Sequence, residues 1–276
     1  MKVNMLIDEV INLGKKNGDK TCIIDYKNYN YTWSEYIMKA IEIASSLQKL
    51  RIKFEQKILI ICENKLTFFF IAMACLYVNI TFIPFHLDNI NIDLKYIYKI
   101  IIDLDCGIIF SDNIELLQKI DLNHNINTKK KIKNEQETKI LDVKKVWTKN
   151  DYTLTNPKDL TIFSWDTFIQ LSQENYILPS NNKLNEVILI LCCKKEFNEG
   201  NNSYFSFTEE QINHQVELLL SNYGFSNESL ISLFPLNNIV TILLDFILHF
   251  KSNSLIHLLN IPTFFDGKML IEHFKN

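Results

Sequence analysis

Glycine and proline are scarce in this sequence of 276 residues, which contains six Gly and five Pro. Average usage predicts roughly three times as many glycines. The abundance of Asn, Ile and Lys indicates an AT-rich coding sequence, and such a bias lowers glycine content in general. It does not easily explain the loss of glycine at positions where a ligand must approach the backbone closely.

Several motifs of metal and catalytic sites are also missing. The histidines form no i, i+4 metal-binding pair, and the sequence has no Gly-x-Ser-x-Gly elbow of a serine hydrolase. A net charge of −3 favours neither nucleic acid nor an anionic membrane as a partner. The cysteines lack the paired spacing of a zinc site, so we expect buried, reduced thiols in a cytoplasmic protein. They are Cys22, Cys62, Cys75, Cys106, Cys192 and Cys193.

Export and membrane insertion are not predicted either. Asp8 and Glu9 stand where the apolar region of a signal peptide would begin. The apolar stretches Leu66–Phe85 and Leu230–Phe250 contain Asn and Pro, and we interpret both as buried helices and strands. The basic run Lys129–Lys131 is interpreted as a solvated surface loop rather than a nucleic-acid patch.

Short apolar runs alternate with helical patterns in the first half of the chain. Thr21–Asp25 and Asn30–Thr32 predict a hairpin, and Thr32 with Glu35 matches a capping box at the start of a helix. The next stretch predicts a β-α-β-α-β order, with Asn64 as a helix N-cap, in Lys57–Cys62, Lys65–Val78, Ile80–Pro84, Leu94–Ile102 and Cys106–Phe110. We therefore predict an α/β fold with doubly wound, mostly parallel sheets and flanking helices.

The second half continues this alternation. Strands are predicted at Leu160–Phe163, Val187–Leu191, Leu230–Leu233 and Leu255–Leu258, and helices at Trp165–Glu174, Thr208–Tyr223, Asn238–Phe250 and Gly267–Phe274. Pro and Asn cluster at Leu178–Lys183, which indicates a boundary. We predict a first α/β lobe at residues 1–180 and an incomplete second lobe at residues 181–276.

The order of these segments resembles a known family. The run YNYTWSEYIMKAIEIASSLQKL, the strand KILIIC and the helix end Ala74–Asn79 are similar to the opening of adenylate-forming, AMP-binding enzymes. That family includes acyl-CoA synthetases, luciferase-like ligases and the adenylation domains of peptide synthetases. FSWDTFIQLSQEN, FSFTEEQINHQVELLLSNYGF and SLISLFPLNNIV follow in the family's order. The resemblance covers nearly the whole chain and implies the N-terminal lobes of acyl-CoA synthetases.

The resemblance implies a reaction in which a carboxylate and ATP give an acyl-adenylate and pyrophosphate. The family's loop, Thr-Ser-Gly-Thr-Thr-Gly-x-Pro-Lys-Gly, uses glycines so that backbone N–H groups can approach phosphate oxygens. Here CCKKEFNEGNNSYFSFT follows the strand Val187–Leu191. Aligned on this loop, Phe197 replaces the first Gly, Gly200 keeps the second, and Ser203 and Tyr204 replace the Lys and the last Gly.

The predicted phosphate loop is therefore degenerate. Glu196 and Glu199 would repel phosphate, and Lys194 and Lys195 compensate in part only under a shifted alignment. The candidate phosphate-binding residues are Lys194, Lys195, Gly200 and Ser203. The candidate substrate-binding residue is Asn238, which stands where the family usually has a His near the acyl group. No catalytic or metal-binding residue is predicted.

The family's ribose-binding acidic residue, adenine segment and catalytic C-terminal Lys would follow residue 276, which predicts a truncated chain.

The first hypothesis is a non-catalytic member that requires no cofactor. It would bind an acyl or carboxylate ligand, or associate with a protein partner or itself through an exposed sheet edge. The alternative is a fragment of an AMP-forming acid–CoA or acid–carrier ligase, which uses ATP and Mg²⁺ and needs a companion chain. A third hypothesis is an unrelated α/β protein with only architectural similarity.

Overall fold

The computed structural model describes residues 6–52, 55–86, 94–120, 143–149, 162–172, 186–193, 203–225, 229–233 and 238–259. The helices are α1 Leu6–Asn17, α2 Trp33–Lys49, α3 Lys65–Val78, α4 Leu94–Asp103, α5 Ile114–Lys119, α6 Trp165–Ile169, α7 Glu209–Tyr223, α8 Ile239–Thr241 and α9 Leu248–Lys251, with a π-helical segment at Ile242–Ile247. The strands are β1 Thr21–Ile24, β2 Asn30–Thr32, β3 Lys57–Ile61, β4 Phe82–Pro84, β5 Cys106–Ser111, β6 Lys144–Trp147, β7 Ile162–Ser164, β8 Val187–Cys193, β9 Ser203–Thr208, β10 Ser229–Ser232 and β11 Leu255–Leu258.

These strands form two mostly parallel sheets. The larger sheet has the order β7-β6-β5-β3-β4-β8-β9, and only β9 runs antiparallel to its neighbour. The smaller sheet has the order β10-β11-β1-β2, in which only β1 and β2 pair antiparallel. Helices flank the larger sheet on both faces, which confirms the predicted α/β class.

Both sheets contain strands from the two halves of the sequence. β8 and β9 extend the larger sheet, whose other strands precede residue 181, and β1 lies beside β11 in the smaller sheet. Strands from the two halves of the sequence therefore pair within one sheet in both cases. The proposed boundary at residues 178–183 lies outside the described residues, and the division into two lobes stays a prediction.

The helix α3 lies at the centre of the molecule and is buried along its length. Thr67 is its only residue that is not buried. Side chains alternate along β3, so Ile58 and Ile60 share a core with α3, and Leu59 and Ile61 face the core under α4 and α5. The order β3, α3, β4, α4 and β5 confirms the predicted β-α-β-α-β unit.

The start of α2 confirms the capping box. The Thr32 hydroxyl accepts a hydrogen bond from the Glu35 backbone N–H, and the Glu35 carboxylate accepts one from the Thr32 backbone N–H at 2.8 Å. Asn64 caps α3 in the same manner by accepting from the backbone N–H of Thr67. Both helix starts could be predicted from the sequence because a short polar side chain precedes an apolar run.

The helix α1, which the sequence analysis did not predict, packs closely against α2. A Cβ atom at Gly14 would lie 2.5 Å from the Ile37 Cδ1 atom, and one at Gly18 would lie 2.5 Å from the Ser34 Oγ atom. A side chain at Gly14 would displace the end of the Ile37 side chain, whereas one at Gly18 would also lie 2.7 Å from the Gly14 backbone oxygen. Glycine therefore suits this contact between α1 and α2.

In the described residues, left-handed backbone is found mainly at residues other than glycine. Gly224 takes this conformation at the end of α7, with a φ of 66°. Five other residues share it, with φ between 52° and 63°: Asn28, Arg51, Asn79, Asp105 and Asn253. Asn and Asp tolerate this region best among residues with a side chain, whereas Arg51 has no such advantage.

Several elements differ from the predicted ones. β9 lies within the segment that was interpreted as phosphate loop, and the predicted helix Asn238–Phe250 is interrupted by the π-helical segment. α5 and β6 were not predicted, and α6 ends at Ile169. The predicted helix Gly267–Phe274 and the basic run Lys129–Lys131 lie outside the described residues.

The cysteines partly match their expected burial. Cys22, Cys62, Cys75 and Cys106 are buried, whereas Cys192 is half-buried and Cys193 is exposed at the end of β8; all six are free. In the described part of the chain, no helix has both the length and the hydropathy required to cross a bilayer.

Arg51 offers a test of the left-handed positions. Arg51→Gly should raise the free energy of unfolding by about 1 kcal/mol, because glycine removes the clash of Cβ with the backbone. Lys49→Gly, two residues earlier in helical backbone, should lower it by a similar amount. Urea titration followed by circular dichroism measures both changes, and a destabilised Arg51→Gly variant would contradict the assigned backbone.

Candidate functional site

The carboxyl ends of the parallel strands in the larger sheet form the expected position of a ligand site. α3 follows β3 on one face of the sheet, and α4 and α5 pack on the opposite face. The strand order therefore reverses between β3 and β5, which are neighbours in the sheet. Open α/β sheets commonly bind ligands in the crevice at such a switch point.

A carboxylate of the chain itself occupies the backbone donors at this switch point. Asp112 follows β5, and its Oδ2 atom accepts hydrogen bonds from the backbone N–H groups of Glu63 at 2.9 Å and Asn64 at 3.1 Å. Asp112 is buried. Nearby, the Cys62 sulfur lies 3.7 Å from the Thr148 hydroxyl. The N–H groups before α3 thus have an internal acceptor.

Most of the predicted phosphate loop, residues 194–202, falls between β8 and β9 in the sequence and lies outside the described residues. Cys193 of β8 pairs with Ser203 of β9, so these two residues form the base of the loop. Of the predicted phosphate-binding residues, the structure describes only Ser203, which is half-buried in β9. Lys194, Lys195 and Gly200 lie outside the described residues, and their role stays a prediction.

Tyr204 has a structural contact at the position where the family resemblance places the last loop glycine. It lies in β9 opposite Cys192, and its hydroxyl donates a hydrogen bond to the Asp103 carboxylate of α4 at 3.0 Å. The side chain also packs against the core under α4 and α5. The backbone here belongs to a regular strand.

Asn238 caps a helix. Its side-chain oxygen accepts a hydrogen bond from the Val240 backbone N–H at 2.9 Å, and the residue is exposed at the start of α8. Asparagine is among the strongest N-cap residues, which accounts for its presence without a ligand. Its predicted substrate-binding role stays a prediction.

A buried polar cluster that the sequence analysis missed connects the two sheets. The Lys65 ammonium, at the start of α3, donates to the Ser232 backbone oxygen at 2.7 Å and to the Ser232 hydroxyl at 3.1 Å. Asp245, in the π-helical segment, is buried nearby, and its Oδ2 atom has no hydrogen-bond partner in the described structure. We call Lys65, Ser232 and Asp245 the inter-sheet cluster.

Burial shifts both ionisable groups of the inter-sheet cluster toward their neutral forms. Loss of solvation raises the pKa of Asp245 to about 6, against the lowering effects of the Ser232 hydrogen bond and the Lys65 charge. It also lowers the pKa of Lys65 to about 8, against the attraction of Asp245. At pH 7 both groups carry charge in the folded state, and each opposes folding by about 3 kcal/mol. Strongly shifted neighbouring groups are typical of functional sites as well as of structural polar networks.

The sequence contained a weak signal for the inter-sheet cluster. Lys65 begins an otherwise apolar helix, and Asp245 interrupts the apolar run of residues 239–250. A charged residue in such a run is rarely buried unless it has a partner. Nothing in the sequence indicated that these two residues, 180 positions apart, would lie close enough to affect each other's charge.

A buried histidine lies apart from this cluster. His249 stacks on Trp33 with ring centroids 4.8 Å apart and is fully buried in the main core. Burial lowers the pKa of its imidazole to about 3, so the ring is neutral at physiological pH. Across the described ranges, no three His, Cys, Asp or Glu side chains converge in a metal-binding group.

Comparison with known families agrees with this architecture. The model of the AMP-binding enzyme family matches residues 12–181, which is more than half of the chain. The chain belongs to the AMP-binding enzyme family. No curated protein shows significant sequence similarity to it.

Solved structures of adenylate-forming proteins share the fold. The Klebsiella oxytoca NpsA N-terminal subdomain, in complex with 3-hydroxyanthranilyl-AMSN, matches 99% of this chain with a TM-score of 0.70 and 12% identity. McyG A-PCP, complexed with phenylalanyl-adenylate, matches 99% with a TM-score of 0.69 and 15% identity. Apo MatB from Rhodopseudomonas palustris matches 98% with a TM-score of 0.69 and 11% identity.

This chain is shorter than the proteins whose fold it shares. The match covers 58% of the NpsA chain, 44% of the McyG chain and 48% of the MatB chain. Nearly all of this chain therefore corresponds to only part of each solved structure. At identities of 15% or less, these structural matches show the shared fold alone and carry no information on activity or substrate.

Asp245→Asn tests the energetic role of the inter-sheet cluster. Because folding raises the pKa of Asp245, the ionised carboxylate destabilises the fold above pH 6, and the penalty vanishes as the pH falls toward the unfolded value near 4. The variant should exceed the wild type by about 3 kcal/mol in unfolding free energy at pH 7 and match it near pH 4. Urea titrations at the two pH values measure this. A destabilised variant at pH 7 would contradict the assignment.

Proposed function

We propose that this chain is a non-catalytic member of the AMP-binding enzyme family that acts as a binding or interaction module. It has the family's N-terminal architecture, and adenylation is absent because the phosphate loop no longer forms a cradle for ATP. A cytoplasmic location is part of the proposal and is supported by six free cysteines, which suit a reducing compartment.

The observation that carries the proposal is the composition of the phosphate loop. Residues 194–202 include a single glycine, Gly200, and the charges of Lys194 and Lys195 are balanced by Glu196 and Glu199. A phosphate cradle requires convergent backbone N–H groups, which bulky side chains prevent, and net positive charge. The loop therefore lacks both physical requirements for binding the polyphosphate of ATP.

The residues that end the loop support the same conclusion. Ser203 stands where the family resemblance places the loop Lys, and it cannot supply a charged donor to a phosphate. Tyr204, at the position of the last glycine, uses its hydroxyl to bind Asp103. This contact gives Tyr204 a role in joining β9 to α4.

Glycines outside the loop give further support to the proposal. Gly14 and Gly18 stand where α1 contacts α2, and Gly224 stands at a left-handed position after α7. The chain thus has glycine at positions that the fold uses, whereas the loop has only Gly200.

The proposed ligands and partners follow from the same architecture. An acyl or other carboxylate ligand suits a scaffold whose relatives bind acyl-adenylates, and such binding does not require the phosphate loop. A protein partner or a second copy is the other candidate. The proposal excludes nucleic acid, which is consistent with the net charge of −3.

ATP binding and pyrophosphate exchange test the proposal directly. With MgATP present at a thousand times a typical dissociation constant, a binding protein gains about 4 kcal/mol of stability, whereas we expect no change in melting temperature here. We also expect no ATP–pyrophosphate exchange with fatty, aromatic or amino acids. An adenylation domain with an intact glycine-rich loop is the positive control in both assays.

The opposite results would identify a ligase. ATP-dependent stabilisation, or exchange catalysed by the chain alone, would overturn the non-catalytic proposal. Exchange that appears only when a companion chain with the later motifs is added would establish the alternative, a split ATP-dependent ligase that activates a carboxylate.

A further inference from the structure

An open groove lies along the contact between α1 and α2. Its volume is about 410 Å³, which falls within the range of small-molecule sites. The two helices run antiparallel here, because Gly18 lies beside Ser34 and Gly14 lies beside Ile37. Tyr77 of α3, which is 1% exposed, forms the floor. The described residues that line the groove include none of the predicted phosphate-binding or substrate-binding residues.

The groove depends on the spacing of residues along α1. Ile11, Gly14 and Lys15 are three or four positions apart or adjacent across one turn, so they share the face of α1 that lies against α2. Gly14 has no side chain, which leaves space between its two neighbours on this face. A Cβ atom at Gly14 would lie 2.5 Å from the Ile37 Cδ1 atom and would narrow the groove.

The groove is apolar at one end and polar toward the other. Ile11 of α1 and Ile41 of α2 line the apolar end, and both pack against the main core. Lys15 of α1 and Ser34 of α2 lie toward the polar end, because the two helices run in opposite directions. Along α2, the seven residues from Ser34 to Ile41 correspond to about 10 Å.

The polar end offers hydrogen-bond donors and a positive charge. Lys15 is exposed, and it is the only charged residue among the described residues that line the groove. Within the described structure, neither its ammonium nor the Ser34 hydroxyl has a hydrogen-bond or ion-pair partner. An ammonium donates to anions and attracts them, and a hydroxyl can donate to the same group. This end therefore suits the carboxylate of a ligand.

We propose that the groove binds a free aliphatic carboxylate of medium chain length. Its carboxylate lies at Lys15 and Ser34, and its chain extends toward Ile11 and Ile41. A length of about 10 Å suits an extended chain of this kind, whereas a helix of a partner protein is itself about 10 Å wide with its side chains. The inference rests on the proposed binding role of the chain and gives the carboxylate ligand a site.

Met38 supports an aliphatic ligand at this place. Its side chain lines the groove and is 61% exposed, so a bound chain would cover apolar surface that is open to water. Methionine is flexible and polarizable, and it adapts to ligands of irregular shape. Burial of each methylene group of the ligand should raise the affinity about fourfold. The charge of Lys15 contributes less, because the residue is exposed.

Isothermal titration calorimetry of the full chain with sodium octanoate, nonanoate and decanoate, each below its micelle concentration, tests the proposal. We expect saturable binding at one site, with an affinity that rises by up to about fourfold per added methylene group until the groove is filled. Decyltrimethylammonium has a chain of the same length and a positive head. It should bind about tenfold more weakly than decanoate, because Lys15 repels it.

Two variants with matched controls locate the site. Lys15→Gln should weaken decanoate binding about fivefold, whereas Lys16→Gln, at the next exposed lysine of α1, should leave it unchanged. Met38→Glu places a carboxylate at the rim and should weaken binding about tenfold or more. Leu218→Glu, at an exposed apolar position of α7, is its control. All four positions except Leu218 lie on α1 or α2 and all are exposed, so we expect unchanged melting temperatures.

Several results would overturn the proposal. They are the absence of saturable decanoate binding, equal affinity for decyltrimethylammonium, and equal effects of Lys15→Gln and Lys16→Gln. Binding to anionic phospholipid vesicles without binding of free decanoate would also contradict it. Pyrophosphate exchange by the same preparation distinguishes the two proposals. Exchange would contradict the non-catalytic function and leave the effects of the groove variants unchanged, whereas decanoate binding that neither Lys15→Gln nor Met38→Glu weakens would contradict only the groove.

Discussion

The complete burial of α3 is the constraint on which the rest of the structure depends. A helix that is apolar on all sides can be stable only when the protein surrounds it and satisfies the polar groups at its ends. Asn64 and Asp112 supply acceptors around its first turn, and Asn79 closes its last turn in left-handed backbone. The elements that follow β3 and β4 are therefore arranged around this helix.

The same constraint links the two sheets. α3 belongs to the crossover between β3 and β4 of the larger sheet, and its first residue, Lys65, bonds to Ser232 at the end of β10 in the smaller sheet. Asp245 lies close to this bond, and both charges are held at a free-energy cost that an apolar pair would avoid. Burial of the core does not require a cluster of that kind, and its bonds hold the start of α3 against the end of β10.

What could be predicted from the sequence depended on whether the signal was local. The capping box of α2, the cap of α3 and the β-α-β-α-β order were correct because each rests on residues within one or two turns. β9 was missed because the family resemblance assigned its first residues, Ser203 and Tyr204, to a loop, although alternating Phe205 and Phe207 fit a strand. The inter-sheet cluster was missed because it depends on tertiary contacts between distant segments. The pairing of β1 with β11 and of β4 with β8 was not predicted for the same reason.

The positions of glycine connect the fold to the proposed loss of activity. At the left-handed positions Asn79 and Asn253 the chain has asparagine, which tolerates this conformation. Glycine stands at positions 14 and 18, where an added Cβ atom would meet the side chain of Ile37 or Ser34. Contact with a phosphate makes a third demand on the backbone. Asparagine can adopt the left-handed conformation of a turn, but its side chain does not help a ligand that must itself reach the backbone N–H groups. Residues 194–202 contain one glycine beside two glutamates, and this composition is the reason for the proposal that the segment does not bind the phosphates of ATP.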